Sequence, residues 1–179
     1  SMTSLPPWKT TSGLLQTACP ARCSPVSSQS SNMLVDTGLP TDLHKVKEAS
    51  VLANELGFDG IFAAEVTADP FVTSAVASQH VQNMDLGTKI AVAFARTPMT
   101  TAYAAYNLGE LSGGRFHLGL GTQVRAHVTR RFSMPWSQPS ARMREYVVAM
   151  KEIWSSWRTG EPLAFSGEFY EHSLMTEYF

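Results

Sequence analysis

The chain has 179 residues, of which 44% are hydrophobic and 16% charged, and a formal net charge of −1. That is ordinary globular composition. It argues against a nucleic-acid partner, which a strong basic excess would signal, and no apolar run approaches the roughly 18 residues of a membrane span.

The first 31 residues differ from the rest. Sixteen of them are Ser, Thr or Pro, and no acidic residue precedes Asp36. Without helical or strand periodicity, residues 1–32 read as a disordered tail or as a start-site or tag-derived extension, with Ser1-Met2 as the tag remnant. A targeting peptide is the sharper alternative, but Leu14-Leu15 is too short for a signal-peptide core. Cys19 and Cys23 make a poor zinc set without nearby histidines. The remainder is free of cysteine, which fits a reducing, cytoplasmic compartment.

From Met33 strand and helix alternate. Residues 33–37 form a short apolar strand. Thr41 or Asp42 caps a helix with a stripe of Leu43, Val46, Ala49, Leu52, Ala53 and Leu56, closed by Gly57. Residues 58–63 give a second strand. Asp69-Pro70 is a cap followed by proline at the first helical position, opening a helix that ends near His80. Residues 86–95 form a third strand, and Thr97-Pro98 repeats the cap-and-proline device for a helix that Ser112-Gly113-Gly114 stops. Residues 116–121 form a fourth strand, followed by a long polar loop. Ser140 caps the next helix, whose apolar positions are Met143, Val147, Met150, Ile153, Trp154 and Trp157, and Gly160 terminates it. Residues 163–170 read as a hairpin folded at Ser166-Gly167.

Near-continuously apolar strands separated by amphipathic helices imply an α/β fold of parallel strands covered by helices. An open doubly wound sheet and a closed (β/α)₈ barrel both satisfy this pattern. Both place binding groups at the carboxyl ends of the strands. The open sheet is disfavoured by an incomplete dinucleotide fingerprint: Gly119 and Gly121 supply two glycines, but Val124 stands where the third belongs.

Four stretches are more specific. The run Leu111-Ser-Gly-Gly-Arg-Phe-His-Leu-Gly-Leu-Gly121 resembles the fourth-strand signature of luciferase-like monooxygenases. Residues 55–62, ELGFDGIF, resemble their entry into strand two, and residues 91–100, AVAFARTPMT, resemble strand three. Residues 130–146, RRFSMPWSQPSARMREY, are similar to the subgroup using the deazaflavin coenzyme F420. The resemblance spans residues 33–179 and implies a (β/α)₈ TIM-barrel oxidoreductase, of which these residues would be the N-terminal half, about four βα units. A complete barrel takes about 250 residues. The half holding strands five to eight, with the phosphate site typical of the fold, would lie outside.

The resemblance implies hydride transfer between F420 and a small organic substrate. An FMN-dependent monooxygenase using molecular oxygen is the alternative, and a non-catalytic half-barrel is a third reading. Glu65, ending strand two, would be an acid/base residue in the barrel mouth, or else a structural carboxylate paired with an arginine. Ala93 and Phe94 would carry a bulge with a non-proline cis peptide against the flavin ring, Phe94 being otherwise core. Gly119 and Gly121 would admit a flat ring, or merely permit tight packing. Gln123 would bond the ring's pyrimidine edge. His127 matches a loop position where relatives contact the cofactor. Arg125, Arg130 and Arg131 would recognise an anionic cofactor tail; a solvated loop is the plain alternative. Arg115, at the barrel bottom, reads as stabilising. His44, His80, His117 and His172 lack ligand spacing, so no metal is expected. Partners beyond the small-molecule substrate would be a second copy in a homo-oligomer, with neither nucleic acid nor membrane.

Overall fold

The computed structural model describes residues 33–176, so the expectation for residues 1–32 falls outside the described part. The described chain divides into two compact units, residues 33–91 with 105–120, and residues 92–104 with 121–176.

The first unit is a parallel sheet. Strands β1 (Asp36–Gly38), β2 (Gly60–Ala63), β3 (Asp85–Thr88) and β5 (Phe116–His117) lie side by side in the order β1-β2-β3-β5. Asp36 pairs with Gly60, Gly60 with Asp85, and Leu86 with Phe116, all in parallel register. Between the strands run α1 (Leu43–Glu55) and α2 (Pro70–Ser78). Asp42 caps α1 by accepting from His44 N–H, and Asp69 caps α2 by accepting from Phe71 and Val72 N–H. Such a cap contributes about 1 kcal/mol. Gly57 follows α1 with φ +75°, the left-handed conformation its position requires. Ile61 and Leu86 are fully buried beside Val46, Ala77, Val81 and Met84. Each side chain of that size contributes roughly 1.5–3 kcal/mol on burial.

Several boundaries differ from the sequence expectation. The first strand begins at Asp36, and Met33, Leu34 and Val35 are exposed. The stripe on α1 is narrower: Val46, Ser50 and Ala53 are buried, whereas Leu43, Leu52 and Leu56 face outward. The third strand is broken. β3 ends at Thr88, the Lys89–Ile90 peptide is cis, β4 is only Ala91–Val92, and residues 93–95 form a 3₁₀ turn. The cis peptide expected at Ala93-Phe94 therefore sits four residues earlier. The fourth strand is likewise split into β5 and β6 (Leu120–Gly121).

One threonine explains why these breaks occur together. Thr88 Oγ1 donates to Gly119 O at 2.7 Å and accepts from Gly119 N–H at 3.0 Å. Gly119 O also accepts from Ala91 N–H at 2.8 Å. A side chain thus replaces the ladder where both strands are interrupted. A Cβ at position 119 would stand 2.1 Å from Thr88 O, so the glycine is required by backbone packing alone.

Helix α3 (Pro98–Leu111) crosses from one unit into the other. Its start is closed reciprocally: Thr100 N–H donates to Thr97 Oγ1 and Thr97 N–H to Thr100 Oγ1, both at 3.2 Å. In the second unit the long loop contains a π-helical turn, residues 127–131, pinned by buried Val128. Helix α4 (Pro139–Thr159) starts on Gln138 with Pro139 in the first turn; Ser140 is not its cap. Its buried face includes Arg142 and Tyr146 beside Met150, Ile153 and Trp157, while Met143 and Val147 are half-buried. Gly160 ends it at φ +75°. The tyrosine is admitted because its hydroxyl is satisfied: it donates to Thr97 O at 2.9 Å and accepts from Thr101 Oγ1. Burial pushes the phenol far above its ordinary range, so it keeps its proton.

The hairpin pairs β7 (Phe165–Ser166) with β8 (Glu171–His172). Its loop is held by Glu145 of α4, whose carboxylate accepts from Glu168, Phe169 and Tyr170 N–H at 3.0, 2.8 and 2.7 Å.

Two predictions follow from these contacts. Gly119→Ala should lower stability by about 1–3 kcal/mol through overpacking, with no ligand present; an unchanged denaturant midpoint would contradict the packing account. Glu145→Gln places an amide NH₂ against backbone donors. It should cost about 1–3 kcal/mol and speed amide exchange at residues 168–170, whereas unaltered exchange there would show that the carboxylate does not hold the loop.

Candidate functional site

Parallel strands bring their carboxyl ends to one end of a sheet, and in barrels and open sheets ligands bind there. In the first unit that end carries Glu65 and the Lys89–Ile90 peptide. Glu65 follows β2 and is half-buried. Its N–H donates to Ile90 O at 3.3 Å, which ties the loop after β2 to the break after β3. Lys89 N–H donates to Ala63 O at 2.7 Å and fixes the same junction. Ile90 is 36% exposed. Gly119 is half-buried, its backbone engaged by Thr88 and Ala91.

The second unit holds the other candidates. Ala93 and Phe94 are buried, at 1% and 0% exposure. The Phe94 ring meets the edge of Trp136 at 6.1 Å and lies 4.4 Å beneath the Arg142 guanidinium. The Phe94 ring is thus enclosed among the described residues. Gly121 is half-buried in β6. Gln123 adopts φ +63°, and its Oε1 accepts from Val124 N–H at 3.0 Å. Its NH₂ group can donate to an incoming group.

Arg125, His127, Arg130 and Arg131 are all exposed around the π-helical turn. Arg131 stacks over Phe132 at 5.2 Å. From residue 111 to residue 144 the chain contains six arginines and no Asp or Glu. The turn thus gathers three arginines and a histidine in one short exposed segment, a donor set that suits an anionic group. That donor chemistry fits the phosphate and carboxylates of a flavin-type cofactor tail. Arg115 donates to Met84 O and Val81 O, tying strand entry to the preceding turn.

Sequence reading missed Thr88, Ile90, Arg142 and Glu145. Thr88 and Ile90 sit inside an apolar run that reads as uninterrupted strand. Arg142 and Glu145 look like ordinary helix-surface charges; their partners, Tyr170 and residues 168–170, lie more than 20 positions away. Among the described residues no three His, Cys, Asp or Glu converge as a metal set. No described helix is long and apolar enough to cross a membrane.

Comparison with known proteins bears on this geometry. Residues 19–177 match the family model described as luciferase-like monooxygenase. The match opens at residue 19, ahead of Met33, where the resemblance read from the sequence begins. The uncharacterized protein Rv1360 of Mycobacterium tuberculosis is 47% identical over 145 residues, covering 81% of this chain and 43% of the relative. A putative coenzyme F420-dependent oxidoreductase of the same organism, Rv3520c, is 34% identical over 131 residues, covering 73% of this chain and 37% of the relative. Among solved structures, the oxygenating constituent of 3,6-diketocamphane monooxygenase from Pseudomonas putida, in complex with FMN, superposes with a TM-score of 0.68. It is 15% identical, with 81% of this chain and 45% of that chain covered. The chain spans less than half the length of these proteins, and its parallel βα units have the fold of the corresponding part of a (β/α)₈ barrel. This chain belongs to the luciferase-like monooxygenase family.

Proposed function

We propose that the protein is an F420-dependent oxidoreductase that moves hydride between the deazaflavin and a small organic substrate. The carrying observation is the acid-free basic turn of Arg125, His127, Arg130 and Arg131, exposed on the second unit. F420 and FMN share a flat tricycle but differ in the tail, where F420 adds carboxylates. Each charge-assisted contact is worth about 1.5–3 kcal/mol where desolvated, so a turn rich in arginine favours the more anionic tail. The 34% identical relative described as a putative F420-dependent oxidoreductase supports the same choice.

When bound, the deazaflavin supplies a two-electron hydride donor or acceptor with little of a flavin's reactivity toward oxygen. The residues of this chain do the rest. Ile90 offers exposed apolar surface for a flat ring, at the break where Phe94 had been expected to do so. Gln123 presents amide donors. Glu65, held at that break by its backbone bond to Ile90, takes or returns a proton at the substrate oxygen, a role that contributes typically 10²–10⁴-fold. Substrate contacts belong to loops that vary between relatives.

The test is parallel titration of the protein with F420 and with FMN. F420 should bind more tightly, and Arg130→Ala or Arg131→Ala, like added salt, should weaken it severalfold. Preferential FMN binding, with oxygen consumed once the flavin is reduced, would instead establish the FMN-dependent monooxygenase. Binding of neither by the folded chain would favour a non-catalytic role.

A further inference from the structure

At the start of α4 stands an arginine that has no carboxylate. Arg142 is only 6% exposed. Its guanidinium lies 4.4 Å from the centre of the Phe94 ring and 5.5 Å from that of Tyr170. Nε donates to Tyr170 Oη at 2.8 Å and Nη1 to Pro135 O at 2.8 Å. A guanidinium has five N–H donors, so three have no partner among the described residues.

The nearest acid along the helix cannot serve. Glu145, one turn on, has its oxygens engaged by three backbone N–H groups of the hairpin loop. No Asp or Glu occurs between residues 111 and 144. A guanidinium cannot shed its proton to escape burial as a lysine can. Leaving a buried charge uncompensated is costly, and native structures pair it.

The free edge is nevertheless reachable. The buried side-chain N and O atoms without a partner among the described residues are Ser50 Oγ and His172 Nε2, and no nitrogen of Arg142 is among them. The guanidinium is thus held against the Phe94 ring and anchored at two donors, and its unpartnered Nη2 is not fully sealed from solvent.

We propose that Arg142 is a recognition point for a small organic anion bearing a carboxylate or phosphate group. The anion accepts in bidentate fashion from the open edge of the fork. The Phe94 ring and the bonds to Tyr170 Oη and Pro135 O hold the guanidinium, so little freedom is lost on binding. The proposal does not depend on whether the protein uses F420 or FMN.

The test is thermal denaturation of the 179-residue chain with inorganic phosphate and, separately, with succinate, sodium chloride holding ionic strength constant. Wild type should show a saturable rise in Tm with at least one of the two anions, and whichever acts identifies the group recognised. Arg142→Lys keeps the charge but not the fork, and its half-saturation should be at least tenfold weaker. Arg142→Gln should not respond, whereas Arg144→Gln, exposed two residues away, should behave as wild type. If Arg142→Gln does not fold, Arg142→Lys still decides the matter. No saturable response to either anion would overturn the proposal, as would a wild-type response in the Arg142 variants.

Discussion

The parallel register of β1, β2, β3 and β5 is the constraint on which the rest depends. Every backbone N–H and C=O inside such a sheet must find its partner on a neighbouring strand running the same way. The chain therefore has to return along a helix after each strand, and it leaves the sheet at the same end every time. Glu65 and Ile90 sit at that end because β2 and β3 stop there, at Ala63 and Thr88. Their mutual hydrogen bond is a consequence of the register that sets Ala63 against Thr88. Chemistry at this end then depends on which side chains the loops supply.

Much of the architecture was legible in the residues because it is encoded locally. Asp69-Pro70, Thr97-Pro98, Gly57 and Gly160 mark helix ends through their own backbone preferences, and each stands where expected. The breaks in the third and fourth strands were not legible. Ile90-Ala91-Val92-Ala93-Phe94 is as apolar as a continuous strand, and the interruption depends on Thr88 meeting Gly119, 31 residues away. The same reason hid the packing around Phe94. Phe94 looked available because nothing nearby shows that Arg142 and Trp136 close over it.

In the second unit, residue type hides what helical position alone shows. Positions 142, 146, 149, 150, 153 and 157 share one helical face of α4 and all are buried, yet the apolar stripe read from the sequence leaves out Arg142 and Tyr146 because of their polar groups. Each is accommodated by hydrogen bonds: Tyr146 by Thr97 and Thr101, Arg142 by Tyr170 and Pro135, Glu145 by the hairpin backbone. Most buried polar groups have at least one such partner. Burial raises the Tyr170 phenol as well, its bond from Arg142 opposing that rise. Both tyrosines thus remain neutral, and the positive charge of Arg142 is not offset by either.

Membership of a family whose relatives are associated with either F420 or FMN leaves the cofactor to the loops, and here those loops are basic. The most direct measurement is amide hydrogen exchange with and without F420. The account predicts slowed exchange at residues 64–66 and 125–131 on addition of F420, with protection of 125–131 reversed by salt. Saturating F420 that left both segments unchanged, or that protected only the outward faces of α1 and α2, would contradict it.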